Sequence, residues 1–313
     1  MHRTGIIGLG IMGRRMLEHM GRHAAFEATA IWDPDPAACA AASKIAPNAI
    51  VATSAEEVIG AVDVVYLACP PAPRKTYALA AADAGRAVFL EKPLGVDADE
   101  SRDLVNRLTS AGAPAAVNFT QAAGAALATI SADEMGGAQG ADIVVAYSKW
   151  PRAWQVEADW LRFGAEGGYT REVISHFLFF TARVLGPLKL IWAQADYPAD
   201  PALCESHVAA RLENADGLPV AVFGAVGGAQ PDRQEMTIKG TTHSWRVAEF
   251  YQLWRSDGGP FERIDQDPPN PRAVSLRAQL DQLDLCVRGE PHLLATPEEA
   301  LAVQELVEAM LAR

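Results

Sequence analysis

The sequence has few cysteines, and their spacing does not suit a disulfide framework or a zinc site. Only four occur in 313 residues, and no two of them form a C-x-x-C pair. Such spacing is typical of reduced thiols in an intracellular protein. We therefore predict no metal site and a cytoplasmic location. The four are Cys39, Cys69, Cys204 and Cys286.

Basic residues are also scarce. Lysine and arginine number 27 against 39 aspartates and glutamates, which gives a formal net charge of −12. Because nucleic-acid binders carry a basic face, no nucleic-acid partner is expected. The deficit lies late in the chain: residues 1–120 carry 11 basic and 13 acidic side chains (net −2), and residues 121–313 carry 16 and 26 (net −10).

Long apolar runs are missing as well. No stretch approaches the ~20 consecutive apolar residues that a membrane-spanning helix requires. The first residues, Met1–Gly8, enter a strand pattern directly, without the apolar region and cleavage site of a signal peptide. We expect no membrane partner, in keeping with the cytoplasmic location.

What residues 1–120 do contain is a regular alternation of short apolar strands and helices. Thr4–Leu9, Val62–Cys69 and Ala87–Leu90 are largely apolar, and helical patterns separate them. Strands of this kind are typical of a parallel sheet that is covered by helices on both faces. The predicted fold class is α/β, with an N-terminal, doubly wound parallel sheet of the Rossmann type over residues 1–120.

After residue 120, strand patterns follow one another without helices between them, and one long pattern covers Ser244–Trp254. This order indicates antiparallel pairing. Residues 121–313 are therefore predicted to form a C-terminal α+β domain with a large, mostly antiparallel sheet. Helices over Tyr169–Leu185 and Ser275–Arg288 are expected to cover one face, and a final helix is expected over 297–312.

The second face of such a sheet needs another partner, because a large apolar surface is rarely left in water. Val220, Val222, Trp245 and Val247 are apolar strand residues that we expect on this second face. The expected partner is a second copy of the chain, in a homodimer or homotetramer.

A glycine-rich loop follows the first strand. Gly8, Gly10 and Gly13 form a G-x-G-x-x-G pattern between a strand and a helix, with Ile11 and Met12 between the last two glycines. In this context the pattern is typical of dinucleotide binding: Gly8 permits the tight turn, Gly10 allows a pyrophosphate to approach the backbone, and Gly13 lets helix and strand pack closely. The phosphates then meet the unpaired N–H groups of the helix N-terminus.

Asp33 ends the second strand, 20 residues after Gly13. An acid at this position accepts the ribose hydroxyls of an adenosine and repels a 2′-phosphate. No lysine or arginine follows before Lys44, so NAD(H) is predicted as the cofactor in preference to NADP(H). Asp33 can also cap the proline-rich turn that follows it, and both roles are compatible.

Two further strand ends are expected near the cofactor, because ligands of a doubly wound sheet bind outside the carboxyl ends of its strands. One carries Cys69 and Pro70, and the other carries Glu91 and Lys92. A lysine placed there is suited to donate or accept a proton, since a nearby positive nicotinamide would lower its pKa.

These motifs together resemble the Gfo/Idh/MocA family of oxidoreductases, the type of glucose–fructose oxidoreductase and inositol dehydrogenase. The most distinctive stretch runs from Ala84 to Gly95 and contains the Glu-Lys-Pro sequence. The resemblance implies a Rossmann domain, a second domain with an open and mostly antiparallel sheet, and a tightly held nicotinamide cofactor. It also implies a dimer or tetramer built on the face of that sheet.

The family's second marker is a glycine pair followed by a helix that carries an acid and a histidine. Gly167 and Gly168 match the pair, His176 matches the histidine, and Glu172 stands where the family usually has aspartate. An α-helix would bring Glu172 and His176 to one face, since they are four residues apart. The resemblance implies catalytic roles for both, whereas a histidine buried in the core is the alternative interpretation.

Other positions are predicted to line the substrate site. Asn118 follows a strand and resembles a family position that often lines the site, and Arg74 stands near the place where the family often has histidine. Arg74 would contact a phosphate, a substrate carboxylate or only solvent. Arg152, Trp154 and Trp160 lie in the region that the family uses for substrate, and flat aromatic faces suit sugars. A hydrophobic lid or subunit contact explains the tryptophans equally well.

The predicted function is that of an NAD-dependent oxidoreductase that transfers a hydride between nicotinamide and a hydroxyl or carbonyl carbon of a small sugar, polyol or related substrate. Lys92 and His176 would supply acid/base chemistry, with Glu172 orienting or relaying, and the direct proton carrier stays open. One alternative is transient oxidation, in which the cofactor is reduced and reoxidised to permit elimination or glycoside cleavage. The other is a non-catalytic, NAD-sensing regulatory protein.

Overall fold

A computed structural model describes residues 1–264, 268 and 270–312. Arg313, the last residue of the predicted second domain, lies outside the described residues. The chain divides into two compact units. Unit 1 consists of Met1–Phe119 and Ala273–Leu301, and unit 2 consists of Thr120–Arg272 and the residues from Ala302 onward. Each is described by itself below.

Unit 1 is built on a six-stranded sheet in which every pairing is parallel. The strand order β3-β2-β1-β4-β5-β6 is that of a Rossmann fold, so the predicted doubly wound parallel sheet is confirmed. The strands are β1 (His2–Ile7), β2 (Phe26–Trp32), β3 (Ile50–Val51), β4 (Val64–Leu67), β5 (Ala87–Leu90) and β6 (Ala115–Val117).

Helices connect these strands, and several begin at a side chain that caps the first turn. Asp35 accepts a hydrogen bond from the backbone of Ala37, and Ser54 accepts one from Glu57, which satisfies N–H groups that a helix start leaves unpaired. The helices are α1 (Ile11–Met20), α2 (Pro36–Ile45), α3 (Ala55–Ala61), α4 (Pro71–Asp83) and α5 (Ala98–Ala111).

Unit 2 contains an eight-stranded sheet in the order β14-β13-β12-β11-β7-β10-β9-β8. Only the pairing of β10 with β7 is parallel among those described, so the prediction of a mostly antiparallel sheet is confirmed. The strands are β7 (Ala138–Tyr147), β8 (Leu188–Asp196), β9 (His207–Asn214), β10 (Pro219–Val226), β11 (Arg233–Gly240), β12 (Ser244–Ala248), β13 (Gln252–Ser256) and β14 (Glu262–Arg263).

Two helices accompany this sheet, α6 (Ala125–Ser131) and α7 (Ser175–Leu185). The helix predicted over Tyr169–Leu185 is present, but its first part, Thr170–Ile174, is a π-helical turn. Helix α7 packs against β7 and β11, so it covers one face of the sheet as expected.

The helix predicted over Ser275–Arg288 exists as α8 (Pro271–Val287), but its expected place on the antiparallel sheet is wrong. Its apolar stripe, Leu276, Leu280 and Leu283, belongs to the same buried core as Ile6 of the parallel sheet. Apolar residues that recur every 3.6 positions indicate that one face of a helix is buried, but they do not indicate which surface buries it. The final helix, α9 (Pro297–Leu311), begins at Thr296 as the sequence indicates.

The four side chains predicted on the second face of the antiparallel sheet are instead buried inside unit 2. Val220, Val222, Trp245 and Val247 are at most 4% exposed. Strand residues alternate between faces, and a pattern of alternation does not tell which face meets the helices. The open face carries other apolar side chains: Phe223 is 49% exposed and Trp192 is 54% exposed.

The pattern over Ser244–Trp254 is two strands, β12 and β13, joined by a tight turn. Glu249 and Phe250 in this turn have φ angles of 51° and 66°. These left-handed conformations normally require glycine or asparagine, so the sequence carries no recognisable turn signal here.

None of the helices in the described part of the chain has the length and apolar character that a membrane span requires.

Candidate active site

The glycine loop of unit 1 has the close contacts that its sequence predicts. Gly8 follows β1 with φ 93°, and a side chain there would collide with the backbone of Cys69. A methyl group on Gly13 would overlap the carbonyl oxygen of Gly8. At Gly10, by contrast, an added methyl would meet nothing within 4 Å. Two glycines therefore serve packing, and Gly10 leaves open space beside the backbone.

That open space lies at the start of α1. Gly10 is the N-cap residue and supplies no capping side chain, and the first turn, which begins with Ile11 and Met12, contains no acid. The unpaired N–H groups and the positive end of the helix dipole together favour an anion at this position. The loop thus fits the pyrophosphate of a dinucleotide.

Asp33 is tied to the same loop. Its Oδ2 accepts a hydrogen bond from the Leu9 backbone N–H at 2.7 Å, and its Oδ1 accepts one from that of Asp35 at 2.9 Å. The predicted role in the turn is therefore present. Each carboxylate oxygen can accept more than one hydrogen bond, so capacity for ribose hydroxyls is left. The ribose contact itself stays a prediction.

Arg74 does not take any of the three roles considered from the sequence. Its guanidinium is 2% exposed and donates to the backbone oxygens of Cys69 at 2.5 Å, Glu91 at 2.8 Å and Pro93. It thereby ties the residues after β4 to those after β5 and holds the backbone on both sides of Lys92. Lys92 itself is partly exposed.

The side chains of Glu91 and Asn118 meet inside unit 1. Tyr66 Oη donates a hydrogen bond to Glu91, and Asn118 Nδ2 donates another at 2.8 Å. Burial raises the pKa of the Glu91 carboxyl, although these hydrogen bonds and the charges of Lys92 and Arg74 act in the opposite direction. The predicted contacts of Glu91 with cofactor and of Asn118 with substrate stay predictions.

In unit 2, the glycine pair precedes the π-helical turn and is held by a buried acid. Gly168 has φ 108°, and a side chain there would overlap the carboxylate of Glu205. Glu205 is 2% exposed and accepts a hydrogen bond from the Thr170 backbone N–H at 2.8 Å. Burial raises the pKa of Glu205. No sequence pattern points to Glu205, because it lies in a loop that carries no recognisable motif.

A buried arginine supports the same segment. Arg171 Nη1 donates to the carbonyl oxygens of Gly164 and Gly167, each at 2.8 Å. Its Nε and Nη2 lie 2.7 Å from the two carboxylate oxygens of Glu308. Arg171 thus joins the turn before α7 to the last helix of the chain, a pairing between distant residues that local patterns do not reveal.

The two predicted catalytic residues of unit 2 are separated by a π-helical turn, not by a regular α-helical one. Glu172 lies in this turn and is partly exposed, and His176 lies in α7 and is 6% exposed. Wide turns of this kind are frequent at functional sites. The Phe250 ring lies edge-on to the His176 ring at 5.5 Å and stacks on that of Phe177 at 5.3 Å.

Phe250 is another residue that no sequence pattern indicates. It is held beside His176 by the left-handed turn at Glu249 and Phe250. Non-glycine residues in such conformations cost on the order of 1–3 kcal/mol each and cluster at functional sites. A strained turn that carries a side chain onto a predicted catalytic histidine is therefore a candidate part of the site.

Two of the three predicted substrate residues of unit 2, Arg152 and Trp154, belong to an aromatic cluster. The rings of Tyr147 and Trp150 lie 5.5 Å apart, and those of Trp150 and Tyr169 lie 6.1 Å apart. The Arg152 guanidinium lies over Tyr147 and Trp150 at 5.4 and 5.6 Å. Trp160 stands apart from these ring pairs, in a short 3-10 helix, and is partly exposed.

Electrostatics connects this cluster with Glu172. Burial raises the pKa of the Tyr147 hydroxyl; the charge of Arg152 lowers it, and those of Glu249, Asp232 and Glu172 raise it further. Arg152 and Glu172, predicted separately, therefore lie close enough to influence the same tyrosine.

Comparison with known proteins gives a family match for the first part of the chain. Residues 2–119 match the model of the Gfo/Idh/MocA oxidoreductase family, described as an NAD-binding Rossmann fold. This range coincides with the first segment of unit 1, which contains the glycine loop, Asp33 and Lys92.

A curated relative is the inositol 2-dehydrogenase of Corynebacterium glutamicum strain R. It is 35% identical over 106 residues, which are 33% of this chain and 32% of that protein. The chain thus spans about a third of the length of the curated relatives it matches.

Solved structures resemble the chain over nearly its whole length. An oxidoreductase from Agrobacterium radiobacter, determined in complex with NAD⁺, L-tartaric acid and magnesium, has a TM-score of 0.86 at 16% identity and covers 98% of this chain and 94% of its own. A UDP-N-acetylglucosamine 3-dehydrogenase from Acidithiobacillus ferrooxidans has a TM-score of 0.82 at 16% identity, with 99% and 96% covered. At these identities the likeness establishes the fold of both units.

Gly13 is tightly packed and Gly10 is not, so alanine at each position should have a different effect. Gly13→Ala should destabilise unit 1 by about 1–3 kcal/mol, because the methyl overlaps the Gly8 carbonyl. Gly10→Ala should leave the melting temperature nearly unchanged and weaken dinucleotide binding, because its methyl fills the open space. Thermal melts and NADH fluorescence titrations measure both. Wild-type NADH affinity in Gly10→Ala would contradict a pyrophosphate at this loop.

Proposed function

We propose that the chain is an NAD-dependent dehydrogenase or reductase, because residues 2–119 match the NAD-binding Rossmann model of the Gfo/Idh/MocA oxidoreductase family. Its substrate would be a small sugar, polyol or related molecule, oxidised or reduced at a CH–OH or carbonyl carbon. The observation that carries the proposal is the open, uncapped helix start at Gly10 in the same unit as Lys92. Inositol and sugar dehydrogenases among the similar proteins support the substrate class.

Each candidate residue has a separate role in this proposal. The glycine loop binds the pyrophosphate, and Asp33 binds the adenosine ribose. When bound, the nicotinamide supplies a two-electron hydride acceptor or donor. Lys92 takes the proton from the substrate hydroxyl, or returns it to the carbonyl oxygen, and His176 shares this proton path. Glu172 orients the histidine, and Asn118, Arg152, Trp154 and Trp160 bind the substrate.

Arg74 is a positioning residue in this scheme. Proton transfer requires the Lys92 amine within about 3 Å of the reacting oxygen. A buried guanidinium that binds the backbone before and after Lys92 restricts where its side chain starts. The same group binds the carbonyl of Cys69, at a strand end that we assign to the cofactor.

The experiment that tests the proposal follows NADH absorbance with a panel of inositols, aldoses, uronic acids and their oxidised forms. Net NADH formation or consumption with one class of compound is the expected result. Consumption of a substrate without net NADH would indicate transient oxidation instead. Tight NAD(H) binding without turnover across the panel would contradict the enzyme and favour an NAD-sensing protein.

For the cofactor, we predict that NAD(H) binds at least ~10-fold more tightly than NADP(H), because Asp33 repels a 2′-phosphate. Titration of both reduced cofactors by fluorescence measures the ratio. Asp33→Asn should narrow it by weakening the repulsion. Equal or tighter NADP(H) binding by the unmodified protein would contradict the assignment and direct attention to Arg14, which contacts the loop at the carbonyl of Leu9.

For the chemistry, we predict that Lys92→Ala lowers kcat by ~10²–10⁴, the usual contribution of general acid–base catalysis, and changes NAD affinity by less than ~10-fold. His176→Ala should behave similarly, and Glu172→Gln should cost less because its role is to orient. Steady-state kinetics and NADH titration give the two readouts. A nearly active Lys92→Ala with an inactive Glu172→Gln would move the acid/base role to Glu172. Loss of NAD binding in all three variants would remove the catalytic assignment.

For assembly, we propose a homodimer or homotetramer in which the open face of the unit 2 sheet is buried. Phe223 and Trp192, both about half exposed, lie on this face. Phe223→Asp should convert the oligomer to a monomer, because a carboxylate in an apolar interface is costly to desolvate. Ile50→Asp, at an exposed apolar position in unit 1, is the matched control. Light scattering that gives a monomer mass for the unmodified protein at micromolar concentration would refute the proposal.

A further inference from the structure

Two arginines share one exposed tryptophan in unit 2. Trp154 is 43% exposed. The Arg152 guanidinium lies 4.8 Å from the centroid of its ring, and that of Arg272 lies 5.0 Å from it. Both arginines are partly exposed. Two partly exposed positive charges therefore lie against one exposed tryptophan.

The polar partners of Arg152 are neutral. Its Nε donates to the side-chain oxygen of Gln155 at 2.9 Å, and its Nη1 donates to that of Gln234 at 3.2 Å. Gln234 is itself bound by the Tyr147 hydroxyl, so this contact is anchored to a buried residue. The guanidinium is held in place by these two side-chain amides.

Within the described residues, neither Arg152 nor Arg272 has a carboxylate within salt-bridge distance. This is unusual in unit 2, which has a large excess of acids. Most of its other arginines are paired with one: Arg162 with Asp159, Arg171 with Glu308, Arg211 with Glu213, Arg233 and Arg246 with Glu235, and Arg255 with Asp257.

An oxyanion completes this arrangement. Two like charges over one ring repel each other, and each cation–π contact at an exposed site contributes only about 0.5–1 kcal/mol. A carboxylate or phosphate offsets both charges and accepts paired hydrogen bonds from the planar guanidinium groups.

We infer that Arg152, Arg272 and Trp154 bind an oxyanion of the substrate, so that the substrate class is acidic sugars or polyols carrying a carboxylate or a phosphate. The inference rests on the proposed dehydrogenase function for its biological meaning. Arg152 lies over the Trp150 ring, and Trp150 contacts Tyr169, the residue directly before the π-helical turn that carries Glu172, so this anion site borders that turn. The arginines bind one end of the substrate and leave its hydroxyl-bearing part for the redox step.

The test uses the full-length protein saturated with NAD⁺ and three probes: D-gluconate for the carboxylate, D-glucose 6-phosphate for the phosphate, and D-glucitol as the neutral compound. Binding is measured by calorimetry and by tryptophan fluorescence. At least one anionic probe should bind at least 10-fold more tightly than D-glucitol, and its affinity should fall with salt. The preferred anion identifies the group.

Arg152→Gln and Arg272→Gln should each weaken binding of that probe by at least 10-fold. Arg162→Gln is the matched control, because its guanidinium lies over the Phe163 ring at 4.6 Å but is paired with Asp159. The control should bind the probe as the unmodified protein does. Circular dichroism melts verify that all three variants are folded.

The experiment can contradict the anion site and the dehydrogenase function independently of each other. Arginine-dependent binding of an anion without NADH formation supports the anion site and counts against the dehydrogenase. Turnover of a neutral polyol with the same kcat/KM in Arg272→Gln overturns the anion site and leaves the dehydrogenase standing. If neither anionic probe binds in a way that depends on Arg152 and Arg272, the inference is wrong.

Discussion

The contact between the first glycine turn and the neighbouring strand end is the constraint on which unit 1 depends. A side chain at Gly8 would strike Cys69, and one at Gly13 would strike Gly8 itself. Because of these close contacts, β1, α1 and the end of β4 pack so tightly that no side chain fits between them at Gly8 or Gly13. Asp33 then ties Leu9 of this turn to the end of β2. Between these two packed glycines, Gly10 leaves open space beside the backbone.

Buried charges hold the other functional loops. Arg74 holds the backbone beside Lys92, while Glu205 and Arg171 hold the glycine pair and the turn that carries Glu172. Burying an ion is costly unless its hydrogen bonds are made, and removing one partner of a buried pair commonly costs ~3–5 kcal/mol. Such groups restrict the backbone conformation of a loop more than apolar packing does, because hydrogen bonds are directional. In each unit, a buried charged side chain thus holds the backbone of the segment that carries a proposed catalytic residue.

How far the sequence could predict the molecule depended on the range of the interactions involved. The strand–helix alternation, the tight turn at Gly8 and the close packing at Gly13 were predicted from neighbours within a few residues, and these predictions agree with the structure. The turn at Glu249 and Phe250 was missed because its residues are atypical of left-handed conformations. The placement of α8 was wrong because helical periodicity does not name the surface that buries it.

The sequence by itself determined the Rossmann-type parallel sheet, the mostly antiparallel second sheet and the position of the dinucleotide loop, since each follows from local periodicity, turn chemistry and a contiguous motif. Only the tertiary structure decided which face of the second sheet is buried, which residues accompany His176, and that Arg74, Glu205 and Arg171 are interior charges. It also brought Arg152 and Arg272, 120 positions apart in the sequence, to one tryptophan. Contacts between distant residues depend on how whole elements pack, and no local pattern in the chain specifies that packing.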